Sequence, residues 1–349
     1  PGSTSTKIAI FEDKKEVFAE TIRHQVEELK PYGNIIEQHE FRKNIILDEI
    51  KKQGISPESL DAVVGRGGLV KSIPSGVYRV NDNMLDFLRA CKKGEHASNL
   101  GAILAKEIVS ETGKEIDAYI VDPVVVDEME PLARISGMPG NDRKSIFHAL
   151  NQKAVARRYC RENEKEYHKV NIIVVHMGGG ISVGAHKNGK VIDVNNALDG
   201  DGPFSPERTG GVPVGHLAKM CFSGDYKLSD IKKKIKGNGG LVAYLGTNDG
   251  REVEERVQKG DKEAELVYKA MAYQISKEVG ALATVLRGNV DNIILTGGLA
   301  YDKNFISWIK ERVSFIADTT VYPGEDEMKA LAENVFYALK GELPIKEYE

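Results

Sequence analysis

Apolar positions along the chain fall into short continuous runs closed by turn residues, and into longer runs at helical spacing. Ile8-Ala9-Ile10-Phe11 reads as a strand after the polar stretch Gly2-Ser3-Thr4-Ser5-Thr6, with a turn at Glu12–Lys15 behind it. About half a chain later the arrangement recurs. Ile172-Ile173-Val174-Val175 is a continuous apolar run, the pattern of a buried strand. His176-Met177-Gly178-Gly179-Gly180 follows, then a strand at Ile181–Ala185, a turn at Lys187–Lys190 and a strand at Val191–Val194. Asn188-Gly189 is a strong two-residue hairpin signal. A small-residue loop feeding a hairpin twice predicts two similar lobes facing one ligand; two unrelated hairpins are the plainer reading.

Between these hairpins strands alternate with helices. Ala62-Val63-Val64 ends in Gly65-Arg66-Gly67-Gly68, and Tyr119-Ile120-Val121 ends in Asp122-Pro123. Helical patterns cover Val17–Leu29, Asn99–Thr112 and Ser145–Cys160. A long helix is predicted over Lys262–Leu286, where Val267, Met271, Ile275, Val279, Leu282 and Leu286 recur at helical spacing. A strand at Asn292–Leu295 leads to Thr296-Gly297-Gly298, and a final helix covers Asp326–Lys340. The alternation predicts an α/β class with mixed sheets. Charged, helix-prone Arg157–His168 is the expected junction between lobes.

Length sharpens this: 349 residues suggest two domains at about 150 residues each. Composition narrows the class. An apolar share of 41% with 29% charged residues is that of a globular protein, not a disordered or fibrous one. A net charge of -4 argues against a nucleic-acid partner held by bulk electrostatics. No apolar run approaches the roughly 18 residues of a membrane span. Cys91, Cys160 and Cys221 lie far apart without metal-ligand spacing, and fit buried or half-buried thiols in a reducing cytoplasm. No signal-peptide pattern is visible, so a cytoplasmic location is expected. The 35 glycines are clustered, which points to backbone loops that hold a ligand.

Four such loops adjoin strands: Gly2–Thr6, Gly178–Gly180, Asp199–Pro203 and Gly297–Gly298. Successive glycine-rich amides form a nest for phosphate oxygens. With neither G-x-G-x-x-G nor G-x-x-x-x-G-K-[ST] present, four of them predict a nucleotide held between lobes. Ser3, Thr4, Ser5 and Thr6 add hydroxyls and Lys7 a cation; a solvated terminus is the alternative for this segment. Arg66 and Asp122 sit at strand ends, where open α/β sheets bind ligands. Residues 195–211 are too irregular for an element, and a long loop inside a compact domain is functional or disordered. Its aspartates suggest a calcium loop, but Pro203 and Pro206 break the EF-hand pattern. His96, His148 and His176 lack zinc spacing and read as hydrogen-bond donors or core histidines.

The segments Gly2–Lys7, Asp122–Asp127, Arg143–Gln152, His176–Ser182 and Asn195–Arg208, in this order, resemble those of butyrate kinases, the short-chain fatty acid branch related to acetate kinases. The resemblance covers essentially the whole chain. It implies membership of the acetate and sugar kinase, Hsc70 and actin superfamily, with two ribonuclease-H-like lobes and ATP in the cleft. The expected lobes are residues 1–160 on the acid side and 161–325 on the nucleotide side, with the helix of 326–349 packing back on the first. The family pattern also carries an apolar strand and an asparagine ahead of the first loop, and continues past Glu349.

The roles that follow are those the resemblance implies. Ser3–Thr6 with Lys7 form the first phosphate loop, and Gly178–Gly180 beside His176 form the second. Gly297 and Gly298 pack under the adenosine. Arg66 and Arg208 hold the carboxylate and the transferring phosphoryl group, Asp122 is the catalytic aspartate, and His148 stabilises the transition state. His96 and Asn99 line the acid site with Phe147 near them. Asp122 and Glu327 are the metal-associated acids, with a slip among Glu325, Asp326 and Glu327 left open. The substrates are ATP, giving ADP, and a short-chain carboxylic acid; the metal is Mg²⁺; a homo-oligomer is expected.

These residue types suit that chemistry. A carboxylate nucleophile, with a pKa of about 4–5, is already ionised at pH 7 and needs no general base. The difficulty is bringing two anions together, which calls for fixed cations and donors around the phosphoryl oxygens. Asp122 then organises magnesium-bound water or the arginines. Structural roles stay open beside each: an ion pair for Arg66, a turn cap for Asp122, a packed core histidine for His148. Gly67 and Gly68 stand where acetate kinases carry bulky valines, so they are expected to leave room for a longer acid, unless they serve backbone geometry alone. A branched or propionate-preferring kinase, and a non-catalytic nucleotide switch, are the alternatives.

Overall fold

The computed structural model describes residues 1–349. In chain order its strands are β1 (Ser5–Glu12), β2 (Lys15–Arg23), β3 (Val63–Arg66), β4 (Val77–Arg79), β5 (Ala118–Val121), β6 (Asn171–Met177), β7 (Ile181–Lys187), β8 (Lys190–Val194), β9 (Asn292–Gly297), β10 (Thr319–Pro323) and β11 (Ile345–Lys346). The chain forms two compact units, Pro1–Val126 with Asp326–Glu349, and Asp127–Glu325.

In the first unit β1 and β2 make an antiparallel hairpin, and a four-stranded mixed sheet has the order β11-β4-β5-β3. Leu100, Leu104 and Ile108 recur every four residues on the helix Leu100–Glu111 and meet Ile46 and Ile50 of the helix His39–Lys52, together with Ile8. The helix expected over Val17–Leu29 is instead strand β2 followed by a single turn at Val26–Leu29. Phe18 and Ile22 have helical spacing, but β1 offers a ladder from Ser5↔Arg23 to Glu12↔Lys15, and β-branched Val17, Thr21 and Ile22 suit it.

The second unit is built on a mixed five-stranded sheet of order β10-β9-β6-β7-β8. Its three strands β10, β9 and β6 are parallel, and β6, β7 and β8 are antiparallel. Ile173, Val175 and Met177 of β6 face Met271, Ile275 and Val279 of the helix Lys262–Val285. Ile172 and Val174 face the opposite way, against Ala156 and Cys160 of the helix Ala149–Glu162. A strand covered on both faces reads as a continuous apolar run, as Ile172–Val175 does. Because the helix Ala149–Glu162 covers this sheet, residues 127–160 belong to the second unit; the divide falls before Asp127, earlier than the expected 160/161.

Asn188 at φ 52° and Gly189 at φ 74° form the predicted turn between β7 and β8. Cys160 is buried and Cys91 half-buried, whereas Cys221 is exposed, unlike the expectation for it. No helix is long and apolar enough to cross a membrane.

Candidate active site

In the first unit the polar segment at the start is shorter than it reads, because Ser5, Thr6 and Lys7 already belong to β1. Gly2 N donates to Ser5 O at 2.7 Å, closing a tight turn. Alternation along the strand turns Thr6 inward, where its hydroxyl meets His24 Nε2 at 2.8 Å, and leaves Lys7 exposed. Arg42, on the helix His39–Lys52, is fully buried under this segment. Its guanidinium donates to the carbonyls of Gly2, Ser3 and Ser5 at 2.9, 3.0 and 2.8 Å, and to Thr6 Oγ1 at 3.1 Å. Gln38 Oε1 takes the remaining donors at 2.8 and 3.1 Å. Burial lowers the Arg42 pKa from its usual value. Sequence reading missed Arg42; a charged residue among the apolar positions of a helix was the available signal.

Asp122 directly follows β5 with φ 38°, a left-handed conformation for a residue that the following Pro123 biases toward extended backbone. Its Oδ1 accepts from Gly76 N at 2.7 Å, and its own N–H donates to Gly76 O at 3.1 Å. Strain of this kind, about 1–3 kcal/mol, persists where the surroundings over-determine it and concentrates at functional positions. Arg66 ends the neighbouring β3, is half-exposed, and pairs with Glu327 at 3.0 Å. His96 is exposed, with Nδ1 2.8 Å from Ser98 Oγ.

Asn99 is buried and ties two loops together, accepting from Leu69 N at 2.8 Å and donating to Gly94 O at 3.0 Å. Here the expectation for Gly67 and Gly68 is corrected. A Cβ at Gly67 would lie 2.5 Å from Pro123 Cβ, and one at Gly68 would lie 2.6 Å from Asn99 Cα and 2.9 Å from Leu88 Cδ2. The space a side chain would take is filled by protein, so these glycines permit close packing and leave no room for an acid. Phe147 is corrected likewise: it is 1% exposed, so its ring presents no surface to a substrate.

In the second unit the ends of β6 and β7 gather the remaining residues. His148, just ahead of the helix Ala149–Glu162, stacks on His176 with ring centroids 3.9 Å apart. His176 is buried at the end of β6, with Nε2 3.0 Å from Glu325 Oε1 and no hydrogen-bond partner for Nδ1. Gly178 N donates to Gly180 O at 3.0 Å, and Ser205 Oγ donates to Gly179 O at 2.7 Å. Arg208 lies against Gly180, its NH1 donating to Ala197 O at 2.6 Å while its buried Nε has no partner. Burial lowers the Arg208 pKa, with nearby Glu207 opposing. A half-satisfied buried guanidinium and an unpartnered imidazole nitrogen beside a glycine turn are groups that an anion would satisfy.

Residues 195–211 form no helix or strand, as expected; only an isolated bridge links Arg208 to Lys236. Asn195 fixes the start of this loop, accepting from Val183 N at 2.7 Å and donating to Ile181 O at 3.1 Å. Gly297 has φ 95° and lies against Met177, whereas Gly298 is exposed and faces open space. The acids 325–327 divide by role: Glu325 pairs with His176, Asp326 caps the helix Glu327–Leu339 through Lys329 N, and Glu327 pairs with Arg66.

The Acetokinase family profile matches residues 141–313. Butyrate kinase 2 of Clostridium acetobutylicum is 58% identical over 349 residues, covering 100% of this chain and 98% of that protein. The solved acetate kinase of Porphyromonas gingivalis has a TM-score of 0.80 at 21% identity, over 97% of this chain and 98% of its own. A propionate kinase from Francisella tularensis has a TM-score of 0.74 at 18% identity, over 95% and 96%. The fold is thus the mixed α/β fold of the actin-like ATPases, and the class is that of ATP-dependent carboxylate kinases. The chain belongs to the acetokinase family, in its butyrate kinase branch.

Proposed function

We propose that the chain transfers the γ-phosphoryl group of ATP to butanoate, giving butanoyl phosphate and ADP. The observation that carries this reading is the 58% identity to a butyrate kinase along the whole chain. A carboxylate oxygen forms the new bond to phosphorus as the bond to the ADP oxygen breaks. The ionised acid needs no base, so the protein's work is positioning and charge stabilisation.

In this reading the second unit carries the nucleotide: Gly178–Gly180 and the segment around Gly297 and Gly298 cradle it, and Ser3, Thr4 and Ser5 with Lys7 of the first unit add donors to the phosphates; Thr6, expected among them, is buried against His24 and Arg42 and takes no part. Arg208 and His148 donate to the phosphoryl oxygens as charge develops there; the unpartnered Nε of Arg208 supports that role. Arg66 and His96 hold the carboxylate. Mg²⁺, when bound with ATP, neutralises phosphate charge. Asp122 fits it through water, since its Oδ1 is engaged by Gly76 and no group of three or more His, Cys, Asp or Glu forms a protein cage; Glu327, paired with Arg66, is the second candidate. A homo-oligomer in the cytoplasm completes the reading.

Trapping the acyl phosphate with hydroxylamine tests it. ADP release should require the acid, and kcat/KM should be highest for butanoate in a series from acetate to pentanoate with isobutyrate included. A peak at propionate or isobutyrate would replace the substrate; ATP turnover indifferent to acid would sink the activity.

A further inference from the structure

His148 opens a hydrogen-bonded chain that runs inward through the second unit to Tyr167. His148 Nδ1 lies 2.9 Å from Ser182 Oγ. Gln152 Nε2 donates to that Oγ at 2.8 Å and to Ser182 O at 3.1 Å. Gln152 Oε1 lies 3.0 Å from His186 Nε2, and His186 Nδ1 lies 2.7 Å from Tyr167 OH. Ser182, Gln152 and His186 are all wholly buried. Ser182 and His186 stand four residues apart on β7 and so share one face, where the helix Ala149–Glu162 brings Gln152 between them.

The Ser182 carbonyl sets the orientation of the Gln152 amide, and with it the tautomer of His186. The Ser182 carbonyl can only accept, so the amide nitrogen of Gln152 faces Ser182 and its oxygen faces His186. An amide oxygen also only accepts, so His186 carries its hydrogen on Nε2. Burial, with Lys153 and Arg157 adding to it and Glu128 opposing, holds the His186 pKa well below its usual value. Nδ1 of this neutral ring is therefore bare, and Tyr167 donates to it. At the other end Ser182 Oγ already accepts from Gln152. Its own hydrogen is left for His148 Nδ1, the acceptor it meets.

We infer that Ser182, Gln152, His186 and Tyr167 are positioning residues that hold His148 as its Nε2–H tautomer, so that a neutral imidazole presents an N–H donor to the phosphoryl group. The inference rests on the role proposed above for His148. It goes beyond that role by stating which proton does the work and what keeps it there. A donor of this kind keeps working as the pH rises past the ordinary histidine range. The other titratable groups facing the chain are His176, stacked on His148, Glu325 beside His176, and Lys153, Glu128 and Arg157 near His186.

The test is nitrogen-15 NMR of histidine-labelled full-length protein, with His148 assigned by loss of its signals in His148→Asn. Wild type should show a hydrogen on His148 Nε2 and a bare Nδ1 at pH 8. Gln152→Leu should mix the tautomers and lower kcat about tenfold, the worth of one buried hydrogen bond, with KM for ATP and acid held. Tyr167→Phe removes one oxygen from the far end and should act in the same direction by about threefold, so a Gln152 variant that fails to fold does not end the test. A wild-type hydrogen on Nδ1, or equal changes in kcat and both KM values, would overturn the network. Normal turnover in His148→Asn would instead overturn the role on which it rests.

Discussion

Two glycine-bearing segments, each running into an antiparallel hairpin, are held by opposite means. The turn at Gly2–Ser5 is held by a distant side chain: fully buried Arg42 gathers three of its carbonyls, and no carboxylate pairs with that guanidinium. The turn at Gly178–Gly180 is held by the absence of side chains. A Cβ at Gly180 would fall 1.7 Å from Arg208 NH1, so the guanidinium occupies the place a methyl group would need. A Cβ at Gly2 meets Ser5 Oγ at 3.1 Å, a hydroxyl that can rotate away, and Ser5 O at an ordinary 3.7 Å. In the sequence both segments are small, polar and flexible; in the fold one depends on a charge and the other on a missing atom.

The comparison breaks most clearly at Arg208. Arg208→Ala should lower kcat by roughly 10³, the scale of arginines in other phosphoryl transfers, while ATP still binds. Arg208→Lys should not restore it, because an ammonium lacks the planar fork. Gly180→Ala should follow in the same direction, since its methyl group displaces the guanidinium from Ala197 O. Steady-state kinetics beside nucleotide binding decide this: normal kcat in Gly180→Ala would mean that the seat of Arg208 against Gly180 is irrelevant.

Arg42 carries the next largest effect. Arg42→Met removes charged hydrogen bonds worth about 1.5–3 kcal/mol each and frees the carbonyls of Gly2, Ser3 and Ser5 to turn. KM for ATP should rise at least about tenfold with KM for the acid unchanged, and the melting temperature should fall. Gly2→Ala should leave both nearly as they are. If Gly2→Ala proves the more damaging, the two segments are held alike and the contrast fails.

What the sequence revealed and what it hid divide along the same line. The β6 run, the Asn188-Gly189 turn and the long helix after Asp261 were legible because neighbours in the chain determine them. β2 was not, because its partner strand and not its own spacing decides it. Arg42 was not, because the carbonyls it gathers lie 37 to 40 positions away. Residue types at Asp122, Arg66, His148 and Arg208 singled out charged positions, but the Ser182–Gln152–His186 chain appears only once β7 and the helix Ala149–Glu162 are packed. Gly67 and Gly68 were misread for a related reason: a glycine looks the same whether it admits a ligand or its own backbone. Gly68→Val should therefore overpack the contact with Asn99, at a cost of about 1–3 kcal/mol. It should lower kcat/KM by one factor for acetate, propionate and butanoate. A shift of preference toward the shorter acids would restore the reading of these glycines as acid space.

The smallest effect separates two adjacent glycines. Gly297 has φ 95°, and a Cβ there would lie 2.4 Å from Met177 O, so Gly297→Ala should destabilise the second unit whatever the nucleotide does. Gly298 is exposed, and a Cβ there meets nothing within 4 Å, so Gly298→Ala should change stability by no more than about 0.5 kcal/mol. If the adenosine packs on Gly298, the added methyl group intrudes only when the nucleotide is bound. KM for ATP should then rise a few-fold, to about tenfold, with the melting temperature of the free protein and KM for the acid both unchanged. Melting curves with and without ADP read this directly: the ADP-induced stabilisation should shrink in Gly298→Ala. An undiminished stabilisation would place the nucleoside elsewhere and leave Gly298 a surface residue with no part in binding.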